Sequence, residues 1–304
     1  MQELVRASRC AWLIAPLVAP VVILMGVLGL AGAGCRRDDA RPTQGAAMPA
    51  TPPAPVPQRL IALTPSATEV VAALGATALL VGVDDYSAFP PEVAQLPKVG
   101  SFLAPNLETI IGLKPTLVIV DDVHGQAAGA LNDAGIATVA CAIHALPDVK
   151  AALRTVGARI GKAAEADRVV ETIDAALDRA AASRPAKRPR VLAVIDREAG
   201  GLGNLVSAGP GSWIDELVAV VGGENVLAAA GVRYPKISAE EVLRARPEVI
   251  LDLSYAARQS LAAWRTVDVP AVGTGRVRAL DDAYLIAPSP RVAEALAALA
   301  KAIQ

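Results

Sequence analysis

LETIIGLKPTLVIVDD (residues 107–122) returns without a gap, 132 residues later, as AEEVLRARPEVILDLS (239–254). Each copy reads as a short helix, a Pro that ends it, and a run of aliphatic residues. Glu108 aligns with Glu240 and Pro115 with Pro247. An aliphatic run of four to eight residues bounded by turn residues is what a strand buried on both faces needs. A helix followed by such a strand, met twice, predicts two similar α/β halves.

The flanking sequence extends the pattern. Before and around the first copy, RLIAL (59–63), LLVGV (79–83), TLVIV (116–120) and IATVACAI (136–143) read as strands. TPSATEVVAALGA, NLETIIGL (106–113) and GQAAGALNDA read as helices between them. Ser66 with Glu69 three residues on fits a capping box, and Gly75 fits the stop. Strands separated by helices pair in parallel through crossovers. Around the second copy the strands are RVLAVI (190–195), EVILDL (248–253) and RVRAL (276–280). The helices there are SWIDELVAVVGG, AEEVLRAR (239–246) and PRVAEALAALAKAI, with a Gly-rich loop over 199–211. Between the halves, residues 146–183 carry a helical apolar pattern with no turn cluster before Ser183-Arg184-Pro185. One helix of that length would run on the order of 55 Å, enough to bridge two lobes. The expected architecture is α/β: two lobes with mainly parallel sheets joined by one long bridging helix. The lobes are expected at 58–145 and 186–304, with the bridge at 146–185.

The N-terminus has a separate role. Residues 11–34 are uncharged, preceded by Arg6 and Arg9 and followed by Cys35-Arg36-Arg37. A basic start, an apolar stretch and small residues before a Cys look like a lipoprotein signal, in which Cys35 is the lipid anchor. The stretch is also long enough to remain as an uncleaved membrane anchor. Segment 1–34 is therefore read as signal peptide or membrane anchor, and 35–57, with five Pro between Pro49 and Pro57, as an extended tether. Either way, the rest of the chain is expected in the cell envelope, outside the cytoplasm. Of the three Cys, Cys10 and Cys35 fall in these segments. Cys141 then has no partner, so no disulfide framework is expected.

Composition narrows the function classes. Hydrophobic residues make up 53% of the 304 and the net charge is −1, which argues against a disordered chain or a phosphate-neutralising nucleic-acid binder. Only 3% are aromatic: three Trp, four Tyr and two Phe. All six Tyr and Phe fall in predicted loops, most at strand ends: Tyr86, Phe89, Phe102, Tyr234, Tyr255 and Tyr284. In open α/β sheets ligands bind beyond the carboxyl ends of the strands. Rings placed there suit a large flat ligand. Phe89, beside Pro90-Pro91, is read as a loop pin. Tyr86, Phe102, Tyr234 and Tyr284 are the ligand-contact candidates. Arg291 is a candidate for a ligand carboxylate or phosphate, or equally for a cap or salt bridge. His124 lies in a strand-end loop and could reach the cleft; His144 sits just before the bridge and is expected to cap it. No paired His/Cys/carboxylate spacing marks a structural zinc site or a site for a naked metal ion.

The ordered stretches RLIALTPSATEVVAALGA, VGVDDYSAFPPEVAQLPKVGSFLAPNLETIIGLKPTLVIV, GPGSWIDELVAVVGGENV, YPKISAEEVLRARPEVILD and SPRVAEALAAL carry a resemblance. From about Arg59 to its end, the chain resembles the substrate-binding proteins of ABC importers for cobalamin, ferric siderophores and haem, the helical-backbone metal receptors. The resemblance implies two Rossmann-like lobes, one bridging helix, small hinge closure and a ligand held between the lobes. The cargo it implies is a cobalt- or iron-containing chelate: cobalamin or another corrinoid first, haem or a ferric siderophore next. Cobalamin-binding relatives often carry Trp at the positions resembling Phe102 and Tyr234. Haem-binding relatives use a Tyr or His axial ligand, which makes Tyr86 or His124 the candidate here. The resemblance also implies an ABC importer permease as partner, docked through one acidic residue per lobe, Glu240 and its echo Glu108. No catalysis, no cofactor of its own and no nucleic acid are expected. The alternatives are a chelatase-like metal-insertion enzyme and a ligand sensor on the same fold. Against the enzyme stand the two His and the lack of any Ser/His/Asp arrangement or spaced acid–base pair.

Overall fold

A computed structural model describes residues 59–304. The expected signal or anchor, the tether and Cys35 lie outside these residues. Among the described residues no helix is long and apolar enough to cross a membrane.

The first half is built as the aliphatic runs demand. β1 (Leu60–Ala62) leads into α1 (Pro65–Ala73) and then β2 (Leu80–Val83). A small hairpin follows, β3 (Gly100–Ser101) with β4 (Ala104–Pro105), then α2 (Leu107–Gly112), β5 (Leu117–Val120), α3 (Gly125–Asp133) and β6 (Ala137–Ala140). The sheet order is β2-β1-β5-β6, parallel throughout. Its strands alternate between two cores. Leu60, Leu117 and Ile119 face one cluster, while Ile61, Val118 and Val120 face the other with Ile110 and Leu131.

α1 corrects one expectation. Its N-cap is Thr64, whose hydroxyl accepts from Ala67 N at 3.0 Å, so Ser66 and Glu69 form no capping box. The Pro at the first helical position sets the start at Pro65, and Glu69 serves elsewhere. Gly75, at φ +65°, ends this segment as expected.

The bridge is also corrected. Residues 146–185 are not one helix but two: α4 (Leu146–Arg159) and α5 (Ala163–Ala182). The break is Ile160-Gly161-Lys162, where Gly161 takes φ +73°. Lys150 pairs with Asp174 at 2.9 Å and Arg154 with Asp167 at 3.6 Å, so the helices run antiparallel. A Cβ on Gly157 would sit 2.8 Å from Ala166 Cβ, so glycine there permits the close crossing. α5, about 30 Å long, makes the passage from the first half to the second.

The second half holds β7 (Arg190–Asp196), β8 (Leu205–Ser207), α6 (Trp213–Val220), β9 (Glu224–Asn225), β10 (Lys236–Ile237) and α7 (Ala239–Ala245). It continues through β11 (Val249–Asp252), α8 (Tyr255–Gln259), α9 (Pro270–Gly273), β12 (Val277–Ala279), α10 (Ala283–Ile286) and α11 (Val292–Ile303). β7, β11 and β12 are parallel neighbours, as are β7 and β9. β8 and β10 add antiparallel pairs, so a strand runs through the stretch read as a Gly-rich loop. Tyr255 and Tyr284 lie in α8 and α10 rather than in loops.

The inner faces of the two sheets share one core. Leu60 and Leu117 of the first belong to the same buried cluster as Val191 and Val249 of the second, joined through Val170 and Ile173 of α5 and Leu296 and Leu299 of α11. Separating the lobes would expose this shared surface, so the architecture favours small relative motions.

Candidate functional site

Loops at the carboxyl ends of the first sheet are zipped into a single rim. After β2, Asp84 is buried; its carboxylate accepts from Tyr86 N at 2.9 Å and from the Ser87 hydroxyl. Lys98 Nζ donates to the carbonyls of Asp84 and Ser87. Burial outweighs these contacts and raises the Asp84 carboxyl above its usual range. The turn throws the Tyr86 side chain outward, 69% exposed. Asp85 N donates to Gly100 O, tying this loop to the β3–β4 hairpin. Gly100 has φ +100°, and a Cβ there would fall 2.4 Å from Ala104 O, so only glycine closes the hairpin that carries Phe102 and Leu103.

His124 locks that hairpin to the end of β5. Its Nδ1 accepts from Asp121 N at 2.9 Å, which makes Nε2 the protonated nitrogen, donating to Phe102 O at 2.6 Å. The imidazole is buried and edge-on to the Phe102 ring, with centroids 5.5 Å apart. With both nitrogens engaged it has no lone pair for a metal, so the axial-ligand expectation for His124 is corrected. His144 was expected to cap the bridge. Asp148 does so instead, accepting from His144 N and Ala145 N, while the His144 ring turns to Asp121 and Asp122. Cys141 is buried and free, its thiol pushed up to about 11, mainly by burial and further by Asp121.

In the second lobe the Tyr234 segment is held by Gly209 N donating to Arg233 O at 2.8 Å. Tyr234 is 46% exposed and Val232 58%. Tyr255 follows Ser254, the N-cap of α8, and is 71% exposed beneath the Arg258 guanidinium. The strand end that leads to Tyr255 is fixed by a fully buried ion pair. Arg197 Nε meets Asp252 Oδ2 at 2.7 Å, Trp264 Nε1 donates to the same oxygen, and the remaining guanidinium donors reach the carbonyls of Glu198, Gly201 and Ser260.

Arg291 is placed differently from the ligand role considered for it. It binds Glu69 of α1 in two places, Nε to Oε2 at 2.8 Å and an Nη to Oε1 at 2.6 Å, and the Ser289 hydroxyl donates to the same carboxylate. Its guanidinium lies 3.9 Å from the Phe89 ring centroid and 4.8 Å from that of Tyr284. Glu69 and Phe89 belong to the first lobe, Arg291 and Tyr284 to the second, so the group clamps the lobes together. Tyr284 and Arg291 thus act as structure, and Phe89 as the pin expected of it. A hollow of about 450 Å³ on the α5 side of this clamp is lined by residues such as Phe89, Thr172 and Glu294; Tyr86, Phe102, Tyr234 and Tyr255 do not line it. A separate bond ties the start of α4 to the second lobe, Leu146 N donating to Glu216 Oε2 at 2.6 Å.

Glu108 and Glu240 stand exposed in the first turns of α2 and α7. Arg244 lies 3.3 Å from Glu240 on the same helix. The sequence reading missed the Glu69–Arg291 clamp, the Arg197–Asp252–Trp264 group and the Asp121–Asp122–His144 cluster. Strand-end Asp residues were a visible signal for the last; nothing local marked the partners in the other two.

The family described as periplasmic binding protein matches residues 60–284. The cobalamin-binding protein of Halobacterium salinarum is 29% identical over 267 residues, covering 81% of this chain and 69% of its own. The vitamin B12-binding protein of Salmonella typhimurium is 32% identical, covering 64% and 71%. Among solved structures, the periplasmic heme-binding protein RhuT of Roseiflexus sp. RS-1, in apo form, superposes with a TM-score of 0.71 at 28% identity, covering 81% of this chain and 99% of the other.

Proposed function

The chain belongs to the periplasmic binding protein family, and on that premise we propose that it captures a metal chelate outside the cytoplasm and hands it to the permease of an ABC importer. A corrinoid such as cobalamin is the first candidate cargo, haem or a ferric siderophore the next. What carries this reading is the placement of exposed rings, Tyr86 in the first lobe and Tyr234 and Tyr255 in the second, with the Tyr86 and Tyr255 segments braced by buried polar groups and the Tyr234 segment held by a backbone hydrogen bond. Rings presented on rigid supports bind a flat or bulky chelate with little ordering cost. Phe102, partly buried against His124, completes the first wall. Tyr86 is the protein ligand to the metal if the cargo is haem. The large shared core and the Glu69–Arg291 clamp favour a cleft formed before the ligand arrives.

Titration of the detergent-solubilised full chain with cobalamin, haemin and ferric chelates, followed by visible spectra, tests the reading. One of them should bind below about 10 μM, worth ~6.8 kcal/mol; binding of none at that level refutes it. Tyr86→Ala and Tyr234→Ala should each weaken that binding about tenfold, and unchanged affinity would return both rings to a structural role. Glu108 and Glu240 are the proposed permease contacts, with charge steering the encounter. Glu240→Lys should lower uptake in cells while leaving ligand affinity intact. The lobe limits at 58–145 and 186–304, the tether at 35–57 and lipid attachment at Cys35 belong to the same proposal. Palmitate labelling lost in Cys35→Ala tests the anchor.

A further inference from the structure

At the carboxyl end of β5, two consecutive carboxylates and an imidazole converge from separate segments. His144 Nε2 is 3.2 Å from Asp122 Oδ1 and 3.7 Å from Asp121 Oδ1, and one ligand atom from each of the three residues lies within 4.8 Å of the others. Metal–donor bonds of roughly 2.0–2.2 Å in tetrahedral or octahedral geometry place the donors themselves roughly 3.0–3.5 Å apart, so these spacings need little adjustment. The donors are two hard oxygens and one borderline nitrogen, a set that suits Zn²⁺, Co²⁺ or Mn²⁺. Asp121 is 4% exposed, yet no Lys or Arg among the described residues pairs with either carboxylate; every ion pair they make is to His144. In the second lobe the Asp at the strand end, Asp252, is buried against Arg197. The first lobe therefore gathers negative charge at its strand end without supplying a permanent cation.

We propose that Asp121, Asp122 and His144 form a divalent-cation site, independent of the metal carried inside the chelate. Asp122, at 61% side-chain exposure, and His144, at 34%, open the site to solvent, which leaves positions for water. The ion would join the end of β5 to residues 141–146, the segment where the chain leaves the first lobe. Ordinary behaviour for such a site is release of protons on binding, since carboxylates and a neutral imidazole are the ligands.

The test is titration of the full chain, free of chelate, with Zn²⁺ by calorimetry and with Co²⁺ by visible absorption, in wild type and in Asp122→Asn and His144→Ala. Both substitutions lie at exposed or half-exposed positions, and far-UV circular dichroism checks that they fold. The wild type should take one ion with Kd below about 100 μM, and each variant should bind at least tenfold more weakly. Absence of such binding in the wild type, or equal binding in the variants, overturns the proposal. Chelate affinity measured on the same variants is a separate readout, so failure of this site leaves the transport reading standing.

Discussion

α2 with β5 in the first lobe and α7 with β11 in the second are the same piece of structure built twice. Strand limits Leu117–Val120 and Val249–Asp252 differ by the 132 residues of the sequence repeat. So do the helix N-caps Asn106 and Ser238, and the residues Lys114 and Arg246, each at positive φ before a Pro. An arginine at the start of the first strand of each lobe, Arg59 just before β1 or Arg190 as the first residue of β7, donates to carbonyls at the end of this helix. The difference begins where the strands end. Val120 of the first lobe is matched by Asp252 of the second, which is sealed against Arg197 and Trp264. The first lobe places its carboxylates one and two residues later, at Asp121, buried beside His144, and at Asp122, open to solvent. One scaffold thus supports two solutions at the cleft: internal neutralisation, which stiffens the loops, and open negative charge.

The largest expected effect breaks that comparison at its strongest point. Asp252→Ala leaves the Arg197 guanidinium buried without a counter-charge and Trp264 Nε1 without an acceptor. It should cost ~3–5 kcal/mol in urea denaturation. Asp122→Ala, at the equivalent end of the first lobe, should stay within about 0.5 kcal/mol. Similar losses at the two sites would mean that both strand ends are neutralised in the same way.

Next in size is the link between the lobes. Glu69→Ala and Arg291→Ala should each lose about 2 kcal/mol, because the surviving partner keeps a charge that is largely out of water. The double variant should cost much less than the sum, giving a coupling of ~1–3 kcal/mol. Simple additivity would show that the lobes are held by the shared core alone.

How far the sequence reveals all this depends on distance along the chain. Aliphatic runs such as TLVIV and caps such as Asn106 act on their neighbours, so the strands, most helices and the two-lobe class can be read directly. The full break at Gly161 resisted reading because Gly157 and Gly161 inside an apolar pattern are also compatible with one bent but continuous helix. The hairpin rests on contacts between its two arms, the close approach of Gly157 to Ala166 and the Lys150–Asp174 and Arg154–Asp167 pairs. Glu69 and Arg291 are 222 residues apart, Arg197 and Asp252 55, and Asp252 and Trp264 12, and no local pattern names such partners. Hence Arg291 read as a ligand candidate and Glu69 as a helix cap. The exposed rings were legible because strand-end position alone selects them; His124 was misjudged because its hydrogen-bond partners depend on how two loops meet.

A smaller change sharpens the equivalence of the repeats. Lys114 and Arg246 are exposed and hold φ of 48° and 45°, a region that L-residues enter at a cost and glycine enters freely. Lys114→Gly and Arg246→Gly should each stabilise by up to about 1 kcal/mol, read from urea midpoints. Equal gains support two copies of one turn, whereas a loss at either would assign that side chain a local duty.

The smallest effect is a pH dependence at the other contact between the lobes. Glu216 receives Leu146 N, but burial, with Asp148 and Asp215 adding like charge, raises its carboxyl above the usual 4.5. The folded protein therefore takes up this proton at a higher pH than the unfolded chain does. Protonation favours the folded state, so the unfavourable contribution of the carboxylate is fully present above the folded value. It fades as pH falls through that value towards 4.5. Glu216→Gln keeps a carbonyl oxygen for Leu146 N and mimics the neutral form at every pH. Its Tm should exceed that of the wild type by about 1 °C or less near pH 7, with the gap closing as pH approaches 4.5. A gap that widens on acidification would reverse the sign, and would mean that the charged carboxylate stabilises the folded protein at this contact.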